Sequence, residues 1–399
     1  MPAEADRAAA RAVLSRALAL AAAAAVSLGL ARFSYALLLP PMRADLGWSY
    51  FTAGAMNTVN AAGYLVAALA TPALLARFDA RTVMLAGGAL TAGLLALHGA
   101  VRADAALYAL RAAAGAASAL SFVGGGLLAA RLAGQAPAAS GLVLGIYYGG
   151  VGLGIIASAA LVPWSIAAGP AGWPFAWLVL ALAAAAASAI TALGTRGLRA
   201  PASAPATAAA AALARFEWRP FAFGLAGYAM FGLGYIGYMT FIVTLLREQG
   251  LDGALVTAFY MLLGASVIAS SWLWAGLLQR HRGGGPLAWL NGLLALATLM
   301  PVLSARPAVV FASGALFGAV FLSVVASTTA LVRHNTAPAA WPAGIAAFTI
   351  VFAAGQIVGP TVVGWIADGP GGLARGFVVS AALLAIGSAL AALQRPLTR

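Results

Sequence analysis

Apolar residues in this chain neither alternate with polar ones nor mark a single helical face; they run on. Stretches of about 20 residues with almost no charge recur along the whole sequence, separated by short breaks rich in arginine, aspartate, glycine and proline. That length matches an α-helix crossing the hydrocarbon core of a bilayer. The stretches lie near 17–39, 51–75, 82–101, 105–130, 141–163, 173–194, 220–245, 255–278, 286–304, 308–332, 343–366 and 375–393. They predict an all-α membrane protein of twelve transmembrane helices.

The breaks set the organisation. Residues 1–16 form a tail, 17–194 a first block of six helices, 219–394 a second block, and 395–399 a second tail. The longest break, 195–218, is rich in alanine and proline, is flanked by Arg196, Arg199, Arg215 and Arg219, and reads as a linker, partly helical at 208–214. The positive-inside rule orients the chain. With both termini cytoplasmic, inner segments carry Arg7, Arg11, Arg16, Arg77, Arg81, Arg131, Arg196, Arg199, Arg215, Arg219, Arg280, Arg282, Arg333, Arg395 and Arg399. Outer loops carry only Arg43, Arg102, Arg247, Arg306 and Arg375. Arg7, Arg11 and Arg16 ahead of an alanine-leucine run also fit a cleavable secretory signal. The run continues to Pro40, however, and cleavage would leave an odd number of helices, so the first helix is expected to be retained.

Composition agrees with the pattern. Of 399 residues, 63% are hydrophobic and 8% charged, against about a quarter charged in an ordinary soluble domain. A net charge of +13 would suit nucleic acid, but the arginines are scattered singly between apolar runs, so no nucleic-acid partner is expected. The absence of cysteine excludes disulfides and thiolate chemistry. No cofactor or metal site is expected.

The two blocks read as copies. Gly150 and Gly154 on helix 5 recur 205 residues later as Gly355 and Gly359, the latter followed by Pro360. Arg77 after helix 2 recurs 203 residues later as Arg280 after helix 8. From Gly29 to Leu69 the chain reads GLARFSYALLLPPMRADLGWSYFTAGAMNTVNAAGYLVAAL. This stretch resembles the YbfB/YjiJ-like branch of the major facilitator superfamily, and the likeness extends over most of both halves. The superfamily's helix 4 pattern is present as Arg111, Gly115 and Ala119. Its helix 5 antiporter pattern is present as Gly141, Gly150 and Gly154, with Ile155 where proline is usual. Between helices 2 and 3 the usual acid before the arginine is missing. Ala76 precedes Arg77, and only Asp79 and Arg81 follow. The resemblance implies two pseudo-symmetric six-helix bundles, with a substrate site between them near mid-membrane and access alternating as the halves rock.

Arg32 and Arg111 interrupt apolar runs that contain no aspartate or glutamate. A charge at bilayer depth is costly and needs a partner. With no acid available within the runs, an anionic ligand is the expected one. At 1.5 Å per residue, Arg32 lies about 12 Å below an outer end at Pro40 and Arg111 about 10 Å below Asp104. Two guanidiniums at one level make a fork for carboxylate, sulfonate or phosphate. Alternatively, Arg111 is structural and bonded to backbone carbonyls. Shifted by the repeat, Arg32 falls on Tyr235 and Arg111 on Gly314, so the second half lacks both charges. It offers instead a helix 7 stripe of Tyr228, Phe231, Tyr235 and Tyr238, which suits an anion with an apolar body or simply packs. Tyr35, Asn57, Asn60, Tyr64, Tyr147 and Gln356 complete the candidate substrate contacts, while Arg77, Asp79, Arg81, Gly115, Gly150, Gly154, Gly355, Gly359 and Pro360 are the candidate conformational elements.

The expectation is a secondary or facilitative transporter of a small organic anion. It would act as a monomer in a bacterial inner membrane, with bilayer lipid and the substrate as its partners. Proton-driven efflux of apolar or cationic compounds is the alternative. A polytopic enzyme or receptor is the remote one, because no catalytic constellation lies within the runs.

Overall fold

The computed structural model describes residues 2–136, 139–168, 172–198 and 216–397, the side chains of residues 2–9 excepted. Most of the expected 195–218 linker, including its 208–214 helix, lies outside the described residues, as do Arg199, Arg215, Arg399 and the side chain of Arg7.

Twelve helices are long and apolar enough to cross a membrane. They are α1 (Ala10–Leu46), α2 (Tyr50–Leu75), α3 (Ala80–His98), α4 (Asp104–Gln135), α5 (Ser140–Ala168), α6 (Trp173–Gly194), α7 (Arg219–Glu248), α8 (Gly253–Arg280), α9 (Gly285–Leu303), α10 (Pro307–Asn335), α11 (Pro338–Ala367) and α12 (Gly372–Ala392). Each falls on one of the apolar runs. Large apolar side chains stay exposed on the outside, among them Val66, Trp289, Leu303 and Trp365. On a water-facing surface such residues would be costly; on a membrane-spanning one they meet lipid.

The first helix departs from the expectation. The helix that contains α1 begins at Pro2, opens into a π-helical stretch over Ala25–Phe33, and resumes as α-helix from Tyr35 through Pro40 and Pro41 to Leu46. The Ser34 amide donates to the Gly29 carbonyl at 3.0 Å, a bond spanning five residues. Pro40 is therefore not the end of the helix. Proline removes one backbone donor, and within a bundle neighbouring segments can satisfy the carbonyl left over. Counting from Leu46 instead puts Arg32 about 21 Å from that end, not 12.

The described chain forms two compact units. The first is Met1–Ser34 with Gly63–Ala204; the second is Tyr35–Ala62 with Pro205–Arg399. Within the first, α5 packs on α1, α3 on α4 and on α6, and α1 on α6. Within the second, the same pairs recur six helices on: α11 on α7, α9 on α10 and on α12, and α7 on α12. Glycine explains the closest of these. A Cβ on Gly150 would lie 2.1 Å from the Ala21 carbonyl oxygen, and one on Gly154 2.5 Å from that of Ala25. A Cβ on Gly355 would lie 2.7 Å from the Ala229 carbonyl oxygen, and one on Gly359 2.6 Å from that of Leu233. Backbones this close leave no room for a side chain, which is how small residues bind membrane helices together.

Candidate functional site

In the first unit the π-helical stretch of α1 carries Arg32, and α4 carries Arg111. They are 5% and 1% exposed. Arg111 Nη1 donates to the carbonyl of Ala31, the residue just before Arg32, at 3.1 Å. The Arg32 guanidinium lies 6.0 Å from the centroid of the Tyr64 ring on α2. The two cations therefore occupy adjoining positions, although the helix end that was to measure their depth is elsewhere. The α1 backbone there is pinned by its neighbours: Ser158 on α5 donates to the Gly29 carbonyl at 3.3 Å and the Gly154 carbonyl at 2.8 Å. One turn below Arg111, the Gly115 carbonyl accepts a hydrogen bond from Ser118 at 2.9 Å.

Tyr147, also in this unit, is fully buried. Its hydroxyl donates to the Phe122 carbonyl at 2.5 Å, and its ring packs against Phe122 and Tyr148 at 5.6 and 5.2 Å. His98, the last residue of α3, is fully buried. Its Nδ1 lies 2.7 Å from the Leu94 carbonyl, and its ring is 4.6 Å from Trp177. A groove of about 600 Å³ between α3 and α6, lined by Ala89, Gly93, Leu178 and Ala185 among others, touches none of the candidate residues.

The second unit contains an aromatic stack instead of cations. Tyr228, Phe231 and Tyr235 of α7 are all buried and stack with Phe352 of α11 at 5.2, 5.4 and 5.6 Å. Phe321 of α10 extends the stack beyond Tyr235 at 6.2 Å. The Tyr235 hydroxyl donates to Gln356 Oε1 at 2.7 Å, linking α7 to α11. Tyr238 turns to another neighbour: its ring stacks on Phe317 at 3.9 Å, and its hydroxyl bonds Ser313, which donates to the Ala297 carbonyl. The four-residue stripe thus serves two different contacts. Asn57 donates to Thr240 at 2.7 Å, the Tyr35 hydroxyl to the Ala53 carbonyl at 2.9 Å, and Asn60 is buried. All three belong to this second unit.

The loop motif between α2 and α3 has a local role. Asp79 caps α3 by accepting from the Arg81 amide at 2.9 Å. Arg81 donates to the carbonyls of Thr195 and Ala192 at 3.0 and 2.7 Å, satisfying orphan carbonyls at the end of α6. Arg77 is exposed. The Pro360 carbonyl faces Gly54, where a Cβ would approach to 2.2 Å.

Some residues were not legible as site elements. Phe317, Phe321 and Phe348 complete the stack, but in the sequence they are ordinary apolar positions. Glu248 at the end of α7 and Asp368 just after α11 contact Tyr50, and nothing in the chain's pattern signals that pairing.

Comparisons with known proteins agree on the architecture. The family described as "Uncharacterised MFS-type transporter YbfB" matches residues 24–392. No curated protein matches the sequence. Among solved structures, a bacterial homologue of the human lysosomal transporter Spinster, inward-facing and unoccupied, is similar with TM-score 0.71 and 14% identity, covering 95% of this chain and 96% of that one. The nucleoside transporter NupG has TM-score 0.70 and 17% identity, covering 96% and 98%. The human organic anion transporter MFSD10 (TETRAN) has TM-score 0.63 and 17% identity, covering 94% and 99%. At such identities these structures show the fold: twelve spanning helices in two pseudo-symmetric bundles. Matched along nearly its whole length, the chain belongs to the YbfB-type family of the major facilitator superfamily and is a multi-pass membrane transporter, not an enzyme.

Proposed function

We propose that this transporter moves a small organic anion by alternating access, with Arg32 as the main contact for the anionic group. The carrying observation is the pair of buried arginines in the first unit, one bonded to the backbone beside the other. All nine acids of the chain lie in the N-terminal tail, in loops or at helix ends, never inside a span. A guanidinium held at depth recognises a carboxylate, sulfonate or phosphate through paired N–H donors. Arg111 braces the α1 backbone at Ala31 and adds a second positive charge, which makes a cationic cargo unfavourable there. The same fold carries anionic cargo in the human organic anion transporter MFSD10.

In this reading the chain sits in a bacterial inner membrane with both termini in the cytoplasm, an orientation that the arginine bias supports. The working unit is a monomer, with the substrate and lipid as its partners. A thermal-stabilisation screen of organic acids against purified protein identifies the ligand, and uptake into proteoliposomes confirms transport. Arg32→Ala is expected to abolish both responses. Transport of a lipophilic cation, with every anion inert and Arg32→Ala silent, would overturn the reading in favour of drug efflux.

A further inference from the structure

Within the second unit, one side chain gathers three helix ends. Gln394 follows α12 and is buried. Its Oε1 accepts from the Gly224 amide at 3.0 Å, in the first α-helical turn of α7, where helix amides lack partners of their own. Its Nε2 donates to the carbonyls of Pro220 and Arg395, each at 3.0 Å. Its backbone carbonyl accepts from the Gly284 amide at 2.8 Å, just before α9. Because one nitrogen bonds both carbonyls, Pro220 and Arg395 are neighbours in space. Arg219, which precedes Pro220, is therefore brought beside Arg395.

Next to this bracket, between the start of α7 and the end of α12, lies an open groove of about 500 Å³. Pro220, Phe223, Leu393 and Leu397 give it an apolar wall, and Arg395 borders it. Phe223, Leu393 and Leu397 are exposed, as are Arg219 and Arg395. Neither guanidinium pairs with a carboxylate among the described residues. Glu217 is the one acid at this end of the unit; Asp45, Glu248, Asp252 and Asp368 lie at the opposite ends of their helices. More arginines surround the bracket. Asn335 at the end of α10 donates to the Arg282 carbonyl at 2.6 Å and accepts from the Leu397 amide at 2.7 Å, which places Arg282 and Arg333 at the same end.

We propose that this groove is a binding site for one anionic phospholipid, with its phosphate on Arg219 and Arg395 and an acyl chain along Phe223, Leu393 and Leu397. Charge complementarity selects the headgroup. Two exposed guanidiniums without acid partners form charge-assisted hydrogen bonds to phosphate oxygens, whereas a zwitterionic headgroup would bring its own cation against them. The apolar wall selects a ligand with a chain, because a soluble anion would use the arginines and leave the groove in contact with water. The position selects the bilayer as the source. The groove lies where two spanning helices start and end, and the exposed Trp218 beside Arg219 is of the residue type that gathers at membrane interfaces. The proposal depends on neither the transported substrate nor the orientation of the chain.

Native mass spectrometry of the full chain, released from detergent with dioleoyl phosphatidylglycerol as the probe, counts bound lipids and gives their affinity. One tightly held phosphatidylglycerol per protein is expected, and weaker binding of dioleoyl phosphatidylcholine, which has the same chains and no net charge. Arg395→Gln is expected to lower phosphatidylglycerol affinity about fivefold, and Arg219→Gln combined with it roughly twentyfold. Ala392→Trp fills the groove while keeping both arginines, and is expected to weaken the lipid as well. Arg306→Gln, at an exposed arginine on the opposite end of α10, is expected to change nothing. Arg395→Gln alters an exposed side chain, so an unchanged thermal midpoint without lipid separates lost binding from lost folding. Equal affinity for the two lipids, or an Arg306→Gln effect as large as that of Arg395→Gln, would overturn the site in favour of diffuse attraction. Displacement of the lipid by inorganic phosphate, with Ala392→Trp silent, would overturn it in favour of a soluble anion.

Discussion

In the first unit α5 packs on α1 through Gly150 and Gly154; in the second, α11 packs on α7 through Gly355 and Gly359. The contacts correspond helix for helix. The side chains presented nearby do not. Where α1 buries Arg32, α7 buries Tyr235 in an aromatic stack and bonds it to Gln356; the glycine contacts, which pair Ala21 with Ala229 and Ala25 with Leu233, put Thr240 and not Tyr235 at the position matching Arg32. The duplicated scaffold is held by backbone proximity, which requires only small residues at a few positions and leaves the remaining positions free to diverge. The chemistry has therefore been assigned unequally, with charge in one unit and aromatic surface in the other.

Substitutions that erase or exaggerate this inequality test it. The largest effect is expected from Arg32→Tyr, which replaces the charge of the first unit by an aromatic residue of the kind α7 carries. Loss of charge-assisted hydrogen bonds, each about 1.5–3 kcal/mol, is expected to lower anion transport in proteoliposomes by roughly tenfold to a hundredfold. Arg32→Lys, which keeps the charge but not the fork, should fall between. Retained transport in Arg32→Tyr would show that the cation is only structural.

A smaller effect tests the shared scaffold. Gly150→Ala places a Cβ 2.1 Å from the Ala21 carbonyl oxygen, whereas Gly355→Ala places one 2.7 Å from that of Ala229. Overpacking costs about 1–3 kcal/mol, and the first substitution is expected to lower the thermal midpoint of detergent-purified protein more than the second. Equal midpoints would mean that the two glycine contacts are interchangeable.

Within the second unit, Phe352→Ala removes the ring shared by Tyr228, Phe231 and Tyr235. Because that ring is only partly buried, the expected destabilisation is about 2 kcal/mol, below the range for a fully buried phenylalanine. The thermal midpoint of detergent-purified protein should fall accordingly; an unchanged midpoint would show that the stack does not hold α7 to α11. The smallest effect is Tyr235→Phe, which removes the bond to Gln356 and should cost about 1 kcal/mol by thermal unfolding, with little change in transport.

The sequence made the spans legible because an uninterrupted apolar run has one low-energy solution in a bilayer, a helix whose backbone groups bond internally. The twelve runs and the twelve helices coincide except at α1, where Pro40 looked like an end. A proline inside a membrane helix is tolerated when neighbours compensate, and that compensation is not written near the proline. The candidate residues were legible as types only. Buried arginine stood out against apolar neighbours, but the bond from Arg111 to the Ala31 carbonyl joins residues 80 positions apart, and no local signal records it. Tyr238 lay on the expected stripe, yet its hydroxyl went to Ser313 on α10. A stripe fixes a direction from one helix axis, not which neighbour stands there.

The sequence by itself determined twelve spanning helices in two repeated blocks, because hydropathy and small-residue spacing act locally and additively along the chain; transport followed from the family resemblance. Only the tertiary structure decided which side chains meet. Asp368 came to cap a helix that begins at Tyr50, and the hairpin after the π-helical stretch joined the second unit. Such pairings depend on which helix faces become neighbours, a property of the packed whole that no single run contains.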